Sequence, residues 1–460
     1  MAAPSALQPV FAHLKAQAEN YRKELFDLLT IASISAKPQH APDVRKAAEW
    51  TRDRVQAAGL KAELVETKGH PAVIAEGPQK SGRPTLLLYG HFDVQPEGEL
   101  NLWTSGPFVP QVRDGAVVAR GSADDKGQML CGLFAAEAWC KAGGGLPINF
   151  KCLLEGEEEV GSPNLTPLVK EHAKRLACDY ILIHDTAKYS ADQPAITTAT
   201  KGLVYMEIIL NGPGKDLHSG SFGGQIANPA TELARLLATF HDEKGRITIP
   251  GFYDDVAPLS AAEKARMAKL PADDAEFLKE VGSPAIWGEA GFSTVERRWA
   301  RPTFEVNGIY GGYMGPGSST IVPSRAGAKV SMRLVANQKA EFIERAFEET
   351  VRQRCPRTVR LEVKSHARCD PYMANLESAG IRASLEAVQM GFGKTPVLIR
   401  EGGSLPILPM FKQVLGADSL MLGYCLPSCN AHSPNEFFHL SDFEAGMRST
   451  AALIGLLATV

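Results

Sequence analysis

Apolar runs that stop abruptly at acidic or imidazole side chains dominate the pattern of this chain. Leu86-Leu87-Leu88-Tyr89 leads directly into Gly90-His91-Phe92-Asp93. An uninterrupted run of this kind predicts a parallel strand buried on both faces. Residues 148–154, which run into Glu155-Gly156-Glu157-Glu158-Glu159, read the same way, as do 180–184, ending before Asp185, and 420–423. Helical spacing appears over residues 6–31, over 43–59 with Asp43 as N-cap, and over 126–142, which closes on three glycines. Short strands at 61–66, 72–75 and 116–119 fill the gaps, the last entered through an Arg113-Asp114-Gly115 turn. The β/α alternation predicts an α/β domain, a mainly parallel sheet with helices on both faces.

Near Lys201-Gly202 the texture changes. Strands at 203–210, 306–310, 328–335 and 359–363 alternate with helices at 229–240 and 339–352. This order predicts a small α+β domain with one antiparallel sheet, carrying a helical insertion at 258–280. From about Glu377 the first pattern resumes, with a strand at 396–400 and a last helix from Ser441. The expected organisation is a catalytic domain in two pieces, 1–201 and 375–460, interrupted by an inserted domain, 202–374.

Composition narrows the partners. A net charge of −3 over 460 residues gives no basic excess for nucleic acid. No apolar run approaches the roughly 20 residues that cross a membrane. The N-terminal stretch mixes Lys15, Glu19, Arg22, Lys23 and Glu24 into its apolar spacing, unlike a secretory leader. A cytoplasmic location is the expectation. The eight cysteines are scattered without a Cys-x-x-Cys pair, as suits buried reduced thiols, and Cys425 and Cys429 have a poor zinc spacing.

Chemistry gathers where the apolar strands end, the usual ligand edge of an open α/β sheet. His91 and Asp93, two apart, point the same way, with Gly90 giving the backbone room to turn. Asp93 either holds the imidazole directly or sits behind it and orients it. Asp124 and Asp125 open a helix, where an acid serves either as a cap or as a bridge between cations. The acidic run after residue 154, Asp185, and His432 within Asn430-Ala431-His432-Ser433-Pro434-Asn435-Glu436 complete the set. Five apolar strands thus bring His, Asp, Glu, Asp and His to one rim. Carboxylates and imidazoles gathered without matching Lys or Arg call for cations. One aspartate bridging two ions about 3.5–4 Å apart, with two further ligands each, describes a co-catalytic pair. Oxygen and nitrogen donors without a thiolate suit zinc or manganese.

The segments Gly90–Pro96, Arg120–Gly127, Glu155–Ser162 and Ala431–Glu436 together resemble the co-catalytic metallopeptidases. That family includes aminoacylase, glutamate carboxypeptidase and succinyl-diaminopimelate desuccinylase. Asp216-Leu217-His218-Ser219-Gly220, Arg333-Leu334-Val335 and Arg400-Glu401-Gly402-Gly403-Ser404 resemble its cytosolic non-specific dipeptidase, or carnosinase-like, branch. The resemblance implies two divalent ions per subunit, with Asp124 bridging. His91 and Asp185 would complete one site, and Glu159 and His432 the other. Glu158 would be the general base and Asp93 the orienter of His91, a register chosen within the Glu157-Glu158-Glu159 triplet by the Val160-Gly161-Ser162 that follows. A cis peptide between Asp124 and Asp125 is also implied. Asn430 stands where the family commonly has glycine.

The resemblance further implies that the inserted domain dimerises and acts as a lid. His218 would reach into the partner's site of a homodimer, and Thr320, Arg333, Ser404 and His432 would join it in binding a small peptide. Arg333 has the planar fork that suits a terminal carboxylate, although a strand-surface arginine reads the same. Gly402-Gly403-Ser404 offers N–H groups or a hydroxyl to that carboxylate, or is simply a turn before a helix. The implied activity is metal-dependent hydrolysis of dipeptides or short peptides; the alternative is deacylation of N-acyl amino acids.

Overall fold

Strand Thr85–His91 runs parallel to Asn149–Glu155 on one side and to Tyr180–Ile183 on the other, and Tyr180–Ile183 runs parallel to Asp418–Met421. All four point their carboxyl ends at one edge, and residues 86–91 and 149–155 are buried throughout. That double-sided burial is why these segments read as continuous apolar runs. Lys61–Val65 and Ala72–Glu76 extend the sheet beyond Asn149–Glu155, and Ala195–Thr200 extends it beyond Asp418–Met421. These outer pairings are antiparallel, so the sheet is mixed, with its parallel part where the chemistry lies.

The computed structural model describes residues 3–270 and 272–459. The chain forms two units. The first comprises Met1–Thr198, Ala374–Ile399 and Met410–Val460; the second comprises Ala199–Met373 and Arg400–Pro409. In the first, helix Lys126–Ala142 packs against both the central strand and the final helix, Leu440–Leu457. Helix Lys126–Ala142 is buried almost all round, which explains its weak amphipathic pattern.

Two local expectations change, and the helical insertion stands. The strand before Asp124 does not join the main sheet. Ala116–Val118 pairs with Gln111–Arg113 and Phe437–His439 in a separate antiparallel sheet, so four strands rather than five serve the rim. Asp114 and Gly115 both have positive φ (48° and 76°), and the tight hairpin they make turns this short strand back on its neighbour. The helix expected to begin at Asp43 begins at Ala41, because Pro42 suits its first turn and His40 is the cap position. Asp43 lies inside that turn and accepts from His40 Nδ1 at 2.8 Å. The insertion at 258–280 consists of two short helices, Ala261–Met267 and Asp274–Val281, with Pro271 between them outside the described residues.

The second unit is an antiparallel sheet in the order Thr303–Gly311, Arg325–Leu334, Gly202–Asn211, Arg360–Cys369. Helices Pro229–Ala238 and Ala340–Arg354 pack Leu233, Leu236, Ile343 and Phe347 against strand residues such as Val204, Ile208, Phe304 and Val330. Asn228 starts the first of these helices by accepting the N–H of Ala230 at 2.9 Å, just ahead of Pro229.

Candidate metal centre

His91 ends the central strand, and its side chain and that of Asp93 are fully buried. His91 Nδ1 lies 3.1 Å from the Asp93 carbonyl oxygen and 3.4 Å from Asp93 Oδ1. Nε2 is then directed at the other carboxylates, 3.1 Å from Asp124 Oδ1 and 3.9 Å from Asp185 Oδ2. The Asp93 carboxylate also accepts the backbone N–H groups of Glu158 (3.3 Å) and Glu159 (3.1 Å). Asp93 therefore sits behind the histidine and ties it to the acidic turn. Gly90 serves close approach rather than turning: a Cβ there would lie 2.9 Å from Asp125 Oδ2 and 3.0 Å from Met129 Cγ.

Asp124 faces both histidines. Its Oδ2 is 2.9 Å from His432 Nε2, while Oδ1 takes the His91 side. The peptide between Asp124 and Asp125 is cis. Asp125 occupies the helix cap position yet makes no side-chain capping bond; its Oδ2 accepts the His91 N–H at 3.3 Å. Simple capping accounts for neither aspartate.

The glutamate triplet separates by environment. Glu157 turns away, accepting from His70 N at 2.9 Å and from Asn164 Nδ2 at 2.9 and 3.0 Å. Glu159 is held by Gln95, whose N–H reaches Oε1 at 3.1 Å and whose Nε2 reaches Oε2 at 2.8 Å. Its Oε2 is 3.3 Å from His432 Nε2. Two ligand groups result. Donor atoms of His91, Glu158 and Asp185 lie within 4.8 Å of one another, as do those of Asp124, Glu159 and His432.

The loop bearing His432 adopts left-handed backbone at Asn430 (φ 57°), His432 (60°) and Asn435 (60°). Asparagine enters that region more readily than other side chains, so Asn430 holds a conformation that glycine would also supply. Glu436, to which the sequence alone assigns no role, is fully buried. The only signal was a carboxylate set against Phe437-Phe438, a charge that burial obliges to find partners. Gln95 was missed in the same way.

Electrostatics follow from this crowding. Burial, reinforced by Asp124, pushes the Asp185 carboxyl up to about 7, and burial also raises Glu158 well above the ordinary range. Burial would raise Asp124 as well, but His432 and His91 hold it below the usual carboxylate range. Asp124 and then Glu159 lift His432 to about 10. Lys126, beside the cluster in sequence, is turned away to the carbonyls of Leu28 (3.1 Å) and Ile31 (2.7 Å). The donors fit a pair of divalent cations. They are oxygen and nitrogen atoms, negative charge is in excess, and the buried His91 Nε2 has no hydrogen-bond partner despite its near neighbours.

The other expected residues belong to the second unit. Arg333 Nη1 donates to Ser404 Oγ at 2.8 Å, so these two meet. The Gly402 N–H is occupied by the Glu401 carboxylate at 2.8 Å, and the Gly403 carbonyl accepts Lys201 N at 2.9 Å, leaving Ser404 as the polar group that faces Arg333. His218 pairs with Ile321 in a two-residue ribbon, and the Thr320 carbonyl accepts Ser219 N at 2.9 Å. Cys425 and Cys429 are buried free thiols and belong to neither ligand group.

Residues 87–455 match the description of peptidase family M20/M25/M40. The Cys-Gly metallodipeptidase dug1 of Schizosaccharomyces pombe is 28% identical, with 99% of each chain covered. The human Beta-Ala-His dipeptidase is 28% identical over 98% of this chain and 92% of its own. Among solved structures, the M20 family metallo-carboxypeptidase Sso-CP2 from Sulfolobus solfataricus is 32% identical. It superposes with a TM-score of 0.84 and covers 96% of this chain and 99% of its own.

Proposed function

The chain belongs to peptidase family M20/M25/M40, and from that premise we propose that it hydrolyses dipeptides or short peptides at a two-cation centre. The observation that carries this reading is the placing of Asp124, whose two oxygens face His91 and His432, one in each ligand group. Asp124 would bridge, His91 and Asp185 would hold one ion, and Glu159 and His432 the other. Zinc or manganese suits these donors. Bound there, the ions supply Lewis-acid activation of water near neutral pH.

The side chains do the rest. Asp93 fixes the His91 ring through Nδ1 and, through two N–H bonds, the turn that presents Glu158. Glu158 takes the proton of the attacking water and returns it to the leaving amine. Its raised proton affinity, caused first by burial, suits that exchange. Arg333 and Ser404, which meet within the second unit, would take the substrate's terminal carboxylate, and Thr320 and His432 are further candidates for substrate contact.

A homodimer joined through the second unit is part of this reading. Ile309, on the edge strand of that sheet, is 65% exposed, and Met314 just beyond it is 73% exposed, an apolar edge that suits an interface. Eight free thiols favour a cytoplasmic setting. Among the described residues no helix is long and apolar enough to cross a membrane.

The deciding experiment pairs metal analysis with substrate choice. Chelation should abolish activity, and zinc or manganese should restore it at two ions per chain. Dipeptides should be cleaved faster than N-acyl amino acids; the reverse order makes the protein a deacylase on the same centre. A second result follows from the charge on His432. With its pKa raised to about 10, the ring is protonated at pH 7 and must lose that proton to bind a cation. Loading should therefore release protons and tighten as pH rises. Calorimetry in buffers of different ionisation enthalpy reads this directly, and a buffer-independent heat would contradict it.

A further inference from the structure

We propose that Glu436 is a positioning residue for the metal centre, holding the Asp124 turn and the His432 loop in one fixed relation. The inference rests on the two-cation reading above.

Each oxygen of the Glu436 carboxylate serves two donors. Oε1 accepts the backbone N–H of Ala123 at 2.9 Å and of Asp124 at 3.0 Å. Oε2 accepts the N–H of Gly121 at 3.0 Å and Arg120 Nη1 at 2.8 Å. The backbone is joined too: Ala119 N donates to the Glu436 carbonyl at 3.0 Å. Arg120 is itself fixed by Nη2 on the Pro96 carbonyl at 3.1 Å and lies over the Trp103 ring. Glu436 is fully buried and follows His432 by four residues. One carboxylate therefore organises the turn that presents Asp124 and anchors the loop that presents His432.

Charge-assisted bonds from backbone N–H groups are strong and directional. They set the Asp124 backbone before any cation arrives, so the bridging carboxylate need not be ordered on binding. A glutamine cannot reproduce this. Whichever way the amide is turned, its NH2 faces a pair of donors, either Ala123 and Asp124 or Gly121 and Arg120. Aspartate keeps the charge opposite Arg120 but is one methylene short of the turn.

Glu157 provides the control. It is a buried carboxylate at the same edge, tied to His70 and Asn164 and to no ligand backbone. The full-length protein is stripped with a chelator and titrated with zinc against a chromophoric competitor, with folding followed by circular dichroism. Glu436→Gln is expected to lose about 10–100-fold in zinc affinity, the usual effect of removing a group that orients ligands. Glu157→Gln should lower the melting temperature while leaving affinity within about twofold of wild type, since it touches no ligand.

A folded Glu436→Gln protein with wild-type affinity overturns the proposal, and so does an equal affinity loss in Glu157→Gln. If Glu436→Gln does not fold, Glu436→Asp carries the same criterion. Hydrogen exchange on the stripped wild-type protein needs no variant: slow exchange across 121–124 supports the prearranged turn, and fast exchange there overturns it. Wild-type protein that binds no zinc would instead defeat the two-cation reading itself, a separate result.

Discussion

Glu158→Gln should leave the cation content of the protein intact and abolish turnover. The amide keeps the size and the place of the carboxylate but cannot accept a proton. General acid–base assistance is worth about 10²–10⁴ in rate, so kcat should fall by at least that range while KM changes little. Three neighbouring glutamates make this a sharp comparison. Glu159 has one oxygen on Gln95 and His432, so Glu159→Gln should lower metal occupancy first and activity as a consequence. Glu157 is turned towards His70 and Asn164, so Glu157→Gln should retain most of its activity. Metal analysis beside steady-state kinetics on the three variants separates the roles. Glu158 stands with His91 and Asp185 within one ligand group, so a loss of metal in Glu158→Gln would make it a ligand and not the base.

The parts of the fold legible in the sequence were those where one physical demand dominated. The central strands are buried on both faces, and that alone writes an uninterrupted apolar run ending where the sheet ends. His91, Asp185 and the glutamates after residue 154 could then be placed at an edge from sequence alone. The short strand Ala116–Val118 carried the same apolar signal but has only three residues, and its partners were decided by a distant segment, Phe437–His439. Apolar character says that a strand is buried, not which sheet buries it. Glycine frees the backbone and so suggests a turn at Gly90, whereas the structure uses its missing side chain to admit helix Lys126–Ala142. Glu436 was invisible for a related reason. Its four donors come from residues 120–124, more than 300 positions away, and no local pattern records them.

His218 should act across the dimer, in the active site of the partner subunit. The ribbon that bears it is exposed but well built: Asp216 Oδ1 accepts both the N–H (2.7 Å) and the hydroxyl (2.8 Å) of Ser324. His218 Nδ1 accepts the Ser221 N–H at 3.3 Å, which selects the tautomer with the proton on Nε2. That nitrogen would then be free to donate to an oxyanion, and losing one such donor costs about 10²–10³ in rate. His218→Ala should therefore be nearly inactive with its cations in place. In a two-fold dimer the donation would run both ways, so each active site would need Glu158 from one chain and His218 from the other. Mixing inactive His218→Ala with inactive Glu158→Gln under conditions that exchange subunits gives a direct test. Random pairing makes half the dimers mixed, each with one complete site, and should restore roughly a quarter of wild-type activity. If exchange is verified by mass and activity stays at the level of the separate variants, the donor works within its own chain or not at all.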